Sequence, residues 1–129
     1  MNTPATKKSG SIKAFLKGFA YAIKGVVYLF ASQRNARVHL FAAVLVVAGG
    51  FCFSISTTEW IAVILSIGMV IAAEAFNSSI EELVDIVSPD YNKSAGRIKD
   101  LAAGAVLLIA IAAAIVGVVI FWPRVFGVV

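Results

Sequence analysis

The chain has 129 residues, 60% of them hydrophobic and only 14% charged, with a mean hydropathy of +0.95. Soluble globular domains carry about 25% charged residues, so this composition excludes that class and describes a small integral membrane protein with one domain over 1–129. The net charge of +4 calls for no nucleic-acid partner, because the basic residues fall in segments expected at a membrane face bearing anionic lipid.

Residues 1–10 are polar and carry no pattern. No secretory signal peptide is expected, since the first 37 residues hold many charges and no apolar stretch ahead of a small-residue cleavage site. From Ser11, a candidate N-cap, apolar side chains recur at Ile12, Phe15, Leu16, Phe19, Ile23, Val26, Val27 and Phe30. That i, i+3, i+4, i+7 pattern predicts an amphipathic helix over 11–33. Lys13, Lys17 and Lys24 flank its apolar face, which predicts a helix lying on a membrane surface; the alternative is a helix packed on a soluble-type core.

The apolar run 38–55 predicts a first membrane span and 60–87 a second, longer than the bilayer and extended into the cytoplasm. Residues 56–59 form the polar turn between them, and Trp60 stands where an interfacial aromatic belongs. A third span is expected over 98–122. Its apolar part, from 101 onward, gives about 33 Å of helix, enough for a hydrocarbon core of about 30 Å, and Pro123 is expected to end it. Ala110 and Ala114, like Ala113 and Gly117, are four apart, a spacing that lets helices approach closely within or between chains. Cys52 is the single cysteine, so it forms no internal disulfide and reads as a packing residue.

Lys and Arg set the orientation. Lys7, Lys8, Lys13, Lys17, Lys24, Arg34 and Arg37 precede the first span, the next loop has none, the following loop has Lys93, Arg97 and Lys99, and Arg124 follows the third span. By the positive-inside rule the N-terminus and the 88–100 loop are cytoplasmic and the C-terminus is outside.

The second span carries the chemistry. Glu74, Asn77, Ser78, Glu81 and Asp85 fall within an arc of about 100° on one helix face. A charged side chain near the bilayer centre costs about 2.5–3.5 kcal/mol, so such residues are rare and functional by default. Counting from Trp60 at the outer interface, Glu74 lies about 21 Å along the helix, some ~9 Å below the cytoplasmic boundary, with Glu81 at that boundary. Lys99 and Asp100 return at the same level. A deep carboxylate can take a proton from a lipid hydroxyl, interfacial carboxylates can hold Mg²⁺ with substrate phosphates, and a lysine can offset developing phosphate charge. Two other uses stay open: a proton or ion pathway through Glu74, or a solvated helix end in which Glu81, Glu82 and Asp85 only face water. No P-loop and no protein-kinase signature is present. His39 has no second histidine to pair with in a metal site, which favours interfacial packing or hydrogen bonding; Ser78 and Ser79 read as helix-packing residues.

The run Glu74-Ala-Phe-Asn77-x-x-Ile80-Glu81-x-x-Val84-Asp85, the pair Lys99-Asp100 that follows it, and the segment Arg34-Asn35-x-Arg37-x-His39-Leu40 resemble the prokaryotic diacylglycerol kinase family, which includes the undecaprenol kinases of Gram-positive bacteria. The resemblance covers nearly the whole chain. It implies an all-α protein of the bacterial cytoplasmic (inner) membrane, with an N-terminal surface helix and three transmembrane helices, assembled as a homotrimeric bundle with shared active sites. It also implies transfer of the ATP γ-phosphate to a lipid hydroxyl with Mg²⁺ required. By position in the motif, Glu74 would be the general base, Asn77 would help place base and substrate, and Glu81 would bind the metal bridging the phosphates. Tyr21, Asp90, Tyr91, Asn92, Lys99 and Asp100 would contact the nucleotide. The family's second metal-binding Glu is replaced by Gln33, which ligates without charge and should weaken Mg²⁺ binding; an arginine that contacts nucleotide in some members aligns with Ala14. The motif details favour undecaprenol as acceptor, with diacylglycerol close behind. The alternatives are a weakly active or inactive nucleotide- or lipid-binding protein of the same fold, and a small ion or proton pathway.

Overall fold

The computed structural model describes residues 10–127 of the chain. They form four helices and no strand: α1 Ser11–Ser32, α2 Arg34–Cys52, α3 Thr57–Val87 and α4 Lys93–Val125. Two compact units result, one ending at Ser32 and one starting at Gln33.

The first unit is α1. It forms where the helical periodicity predicts, and Leu29 is its one buried residue. Phe15 and Phe19, one turn apart, meet edge to face at 5.1 Å, and the Lys24 ammonium sits 5.7 Å from the Tyr21 ring centre. All four helices, α1 included, are long and apolar enough to cross a membrane, so length and composition do not separate a surface helix from a span.

In the second unit every helix begins before its apolar segment, while α2 stops short of its segment's end. α2 begins at Arg34, four residues before the expected span, and ends at Cys52 rather than 55. α4 begins at Lys93 and runs to Val125. Hydropathy marks only the part of a helix suited to lipid; the helix itself continues until its backbone groups find a cap. Gln33 starts α2 in an extended conformation without a side-chain cap. Past Cys52 the chain reverses: Ser54 takes a positive φ of 48°, the Ile55 N–H reaches the Gly50 carbonyl at 3.1 Å, and Ile55 is buried. α3 then opens on a capping box, in which Ser56 Oγ accepts from the Glu59 N–H and the Glu59 carboxylate accepts from the Ser56 N–H at 2.7 Å. Asn92 caps α4 by accepting from the Ser94 and Ala95 N–H groups.

Pro123 does not end α4, contrary to the expectation from sequence. It lies inside the last turn, and Phe126 is the cap, with its N–H on the Trp122 carbonyl at 3.1 Å. A proline this close to a terminus removes a single intrahelical donor, and the helix needs only a few residues more.

α3 packs along α4 and, less extensively, against α2. The core gathers at the end carrying Trp60, where Ile55, Val63 and Ile120 are buried beneath Trp60 and Phe121. At that end Arg124 of α4 grips Glu59 of α3 through two hydrogen bonds of 2.9 Å, Nη1 to Oε1 and Nη2 to Oε2. Elsewhere large apolar side chains stand exposed on every helix, Leu108 and Ile86 among them. Apolar surface on this scale suits lipid or neighbouring chains rather than water.

Gly50 is required where α2 meets Trp60, since a Cβ there would stand 2.7 Å from Trp60 Cη2 and 2.9 Å from Cζ2. Gly50→Ala is expected to destabilise the chain by about 1–3 kcal/mol through overpacking, measured as a lowered midpoint of denaturant unfolding in detergent micelles.

Candidate functional site

The polar stripe of α3 shares one helix face, buried at Glu74, Asn77 and Ser78 and emerging to an exposed Asp85. Glu74, Asn77 and Ser78 are 3%, 7% and 7% exposed and are the buried polar residues among those described. Burying a carboxylate among apolar helices is costly without a partner. Here Glu74 Oε1 lies 3.2 Å from His39 Nε2 of α2. One turn further along α3, the Asn77 Nδ2 group donates to Glu81 Oε1 at 3.1 Å. With its nitrogen turned to the carboxylate, the Asn77 Oδ1 atom is buried with no hydrogen-bond partner. Glu81 is half-buried and Glu82 exposed. At the end of the stripe Asp85 pairs with Lys99 of α4.

His39 also lines an apolar groove of about 560 Å³ that runs between α2, α3 and α4. Val63, Ile67 and Val70 form one wall, and Ala110, Ala114 and Gly117 form part of another. The small residues of α4, spaced by four, thus line an open channel rather than a close contact within the chain.

Several residues singled out from sequence therefore share one face: Glu74, Asn77 and Glu81 along α3, with Lys99 joined to its far end through Asp85. Others are placed separately. Tyr91 is 96% exposed in the α3–α4 loop. Asp90 offers its backbone carbonyl to the Ser88 hydroxyl, and Asn92 is engaged as a helix cap. Asp100 is exposed, Gln33 half-buried at the start of α2, and Tyr21 exposed on α1. Sequence reasoning assigned His39 no specific partner; its contact with Glu74 joins two helices and leaves no spacing signature. The Glu59–Arg124 pair was missed for the same reason. Ser79 does not join the buried stripe, and its hydroxyl donates to the Ala75 carbonyl at 2.8 Å. Cys52 is exposed rather than packed.

Among the described residues no group of three His, Cys, Asp or Glu side chains is placed to hold a metal ion. Mg²⁺, however, commonly uses one or two carboxylates and takes its remaining ligands from substrate phosphates and water. Glu81, half-buried and turned by Asn77, fits that mode.

Helices long and apolar enough to cross a membrane, with a buried acid–amide cluster on α3, describe a small all-helical membrane protein. The chain belongs to the prokaryotic diacylglycerol kinase family, whose model matches residues 20–121. It is 34% identical to the undecaprenol kinase of Bacillus subtilis (strain 168) over 113 residues, covering 88% of this chain and 92% of that protein. It is 40% identical to a diacylglycerol kinase of Synechocystis sp. over 109 residues, covering 84% of this chain but only 62% of the longer relative. With the diacylglycerol kinase of Escherichia coli (strain K12) the identity is 29% over 112 residues, covering 87% of this chain and 91% of that protein.

The Asp85–Lys99 pair is solvated, with side chains 66% and 35% exposed. Exposed pairs contribute about 0–1 kcal/mol, so Asp85→Asn is expected to leave the unfolding midpoint in detergent nearly unchanged. A large drop would show that the pair holds α3 to α4.

Proposed function

We propose that this chain, a lipid kinase by family, transfers the γ-phosphate of ATP to the hydroxyl of a polyprenol at the cytoplasmic face of the bacterial inner membrane. The observation that carries this reading is the position of Glu74: a buried carboxylate contacting a residue that lines an apolar groove, with Asn77 and Glu81 following it along the same helix face. A lipid chain in the groove would bring its hydroxyl to Glu74, and the cytosolic nucleotide would approach from the Glu81 end. Undecaprenol is favoured over diacylglycerol on the Arg34–Leu40 and Glu74–Asn77 motifs.

In this reading Glu74 accepts the hydroxyl proton as the lipid oxygen attacks the γ-phosphorus and ADP departs. Asn77 fixes Glu81 through its amide N–H and offers Oδ1 to the substrate. Glu81 is the residue that would hold Mg²⁺, with Gln33 as a neutral second ligand. Bound there, the ion would neutralise charge on the β- and γ-phosphates. Lys99, steadied by Asp85, would add positive charge near the nucleotide, with Asp100, Asp90, Tyr91, Asn92 and Tyr21 as further contacts.

The assembly proposed is a homotrimer of subunits with three spans, α2 to α4, and a surface helix α1, the N-terminus cytoplasmic and the C-terminus outside. The exposed apolar faces and the open small-residue flank of α4 support association. An ion pathway fits less well: between Trp60 and Glu74 the α3 sequence offers Ser66 as its one polar side chain, too few for a chain of polar groups across the bilayer.

The direct test is chromatography of radiolabelled lipid products after incubating the purified protein with Mg-ATP and undecaprenol or diacylglycerol. Labelled undecaprenyl phosphate in excess is expected; equal labelling of both lipids would remove the preference, and labelling of neither would overturn the reading. Glu74→Gln is expected to lower kcat by about 10²–10⁴-fold, the range of general-base contributions, without altering the oligomer seen by size-exclusion chromatography. Gln33→Glu restores a charged oxygen ligand and is expected to lower the Mg²⁺ concentration giving half-maximal rate; an unchanged Mg²⁺ dependence would exclude residue 33 from the metal site.

A further inference from the structure

The sequence left His39 with a choice between packing and hydrogen bonding, and the structure places an acid beside it. Its Nε2 lies 3.2 Å from Glu74 Oε1, across the α2–α3 contact, with the His39 side chain 26% exposed and that of Glu74 4% exposed. The same ring lines the groove, beside Ala42 and Ala43 on its own helix and Val70 and Ile71 on α3. It therefore touches both the carboxylate and the space open to a lipid chain.

A carboxylate has two oxygens and about four acceptor sites. A donor fixed on Oε1 turns the group and leaves Oε2 available to a hydroxyl. A base must also be held within a fraction of an ångström of its reacting geometry, and glutamate has three rotatable bonds over which to lose it. The ring on the facing helix is placed to restrain that rotation.

We propose that His39 is a positioning residue for the lipid-kinase reaction, its Nε2–H donating to Glu74 Oε1 so that Oε2 is presented to the lipid hydroxyl. This rests on the assignment of Glu74 as the base. The nitrogen in use is the distal one, which gives the idea a discriminating test. A glutamine amide nitrogen reaches about where Nε2 stands, whereas an asparagine amide nitrogen reaches only about as far as Nδ1.

The experiment compares His39→Gln, His39→Asn, His39→Ala and Glu74→Gln in the full chain, purified in detergent and supplied with Mg-ATP and undecaprenol, with kcat, lipid KM and unfolding midpoint recorded for each. Expected are a fall in kcat of about 100-fold for the Asn and Ala variants, the cost of roughly 1 Å of misplacement, an unchanged lipid KM, and recovery of most of the rate in the Gln variant. A merely structural histidine would show Gln and Asn equally impaired, in step with the unfolding midpoint, and that result overturns the proposal. An inactive Glu74→Gln beside a fully active His39→Ala removes the positioning role alone. A Glu74→Gln variant that still turns over removes the base, and the positioning role with it.

Discussion

A carboxyl group buried among apolar helices needs a polar partner, and the α2–α3 contact supplies one. Glu74 is 3% exposed, in a chain whose other buried residues among those described are mostly aliphatic. An uncompensated charge in such a place costs several kcal/mol after relaxation. The adjacent turns of α3 carry Val70, Ile71, Asn77 and Ser78, and the partner in contact with its carboxylate comes from α2, as His39. The helix-to-helix contact that gives the acid a polar partner also joins it to a residue of the groove wall. One interaction thus serves both the packing of α2 on α3 and the chemistry expected of the site.

The same logic runs along the length of α3. Glu59 is held by Arg124 of α4, Glu74 by His39 of α2, Glu81 by Asn77 of α3 itself, and Asp85 by Lys99 of α4. The two pairs with α4 join residues 59 with 124 and 85 with 99, so they pin an antiparallel hairpin near both of its ends. Neither pair is deeply buried, and exposed pairs add little to stability. Their effect is on register: a slip of α4 along α3 would break both together. Lys99 and the polar stripe are thereby kept at the same end of the hairpin.

The parts legible in the sequence are those governed by a single helix. The period of the α1 apolar residues, the single-faced stripe of α3 and the polar turn before it follow from 3.6 residues per turn and local hydrogen bonding. Helix ends were less legible, since hydropathy reports lipid-compatible length and the backbone continues beyond it. Pro123 shows the limit of a breaker rule: inside the last turn it removes one donor and the helix proceeds. Least legible were contacts between helices. His39 and Arg124 are single residues with no pattern around them, and only the crossing of α2 and α4 over α3 gives each an acid to meet. The small residues of α4 mark a place where something can come close, and in the single chain that place is a groove.

The Asn77 amide joins these threads. Its nitrogen is committed to Glu81, and this fixes the direction of its oxygen, which is buried without a donor. Leaving such an acceptor unsatisfied costs about 1–3 kcal/mol, a cost that a core of leucine or alanine at the same position would avoid. An unmatched buried acceptor calls for a specific reason, and a donor arriving with a ligand is one. A lipid hydroxyl is such a donor, and it has one proton to give. Held first by Asn77 Oδ1 and then drawn to the Glu74 carboxylate as its oxygen attacks phosphorus, that proton would have a defined course between two side chains one turn apart. Asn77 would then link the two halves of the reaction, with its nitrogen steadying the acid on the nucleotide side and its oxygen receiving the acceptor lipid.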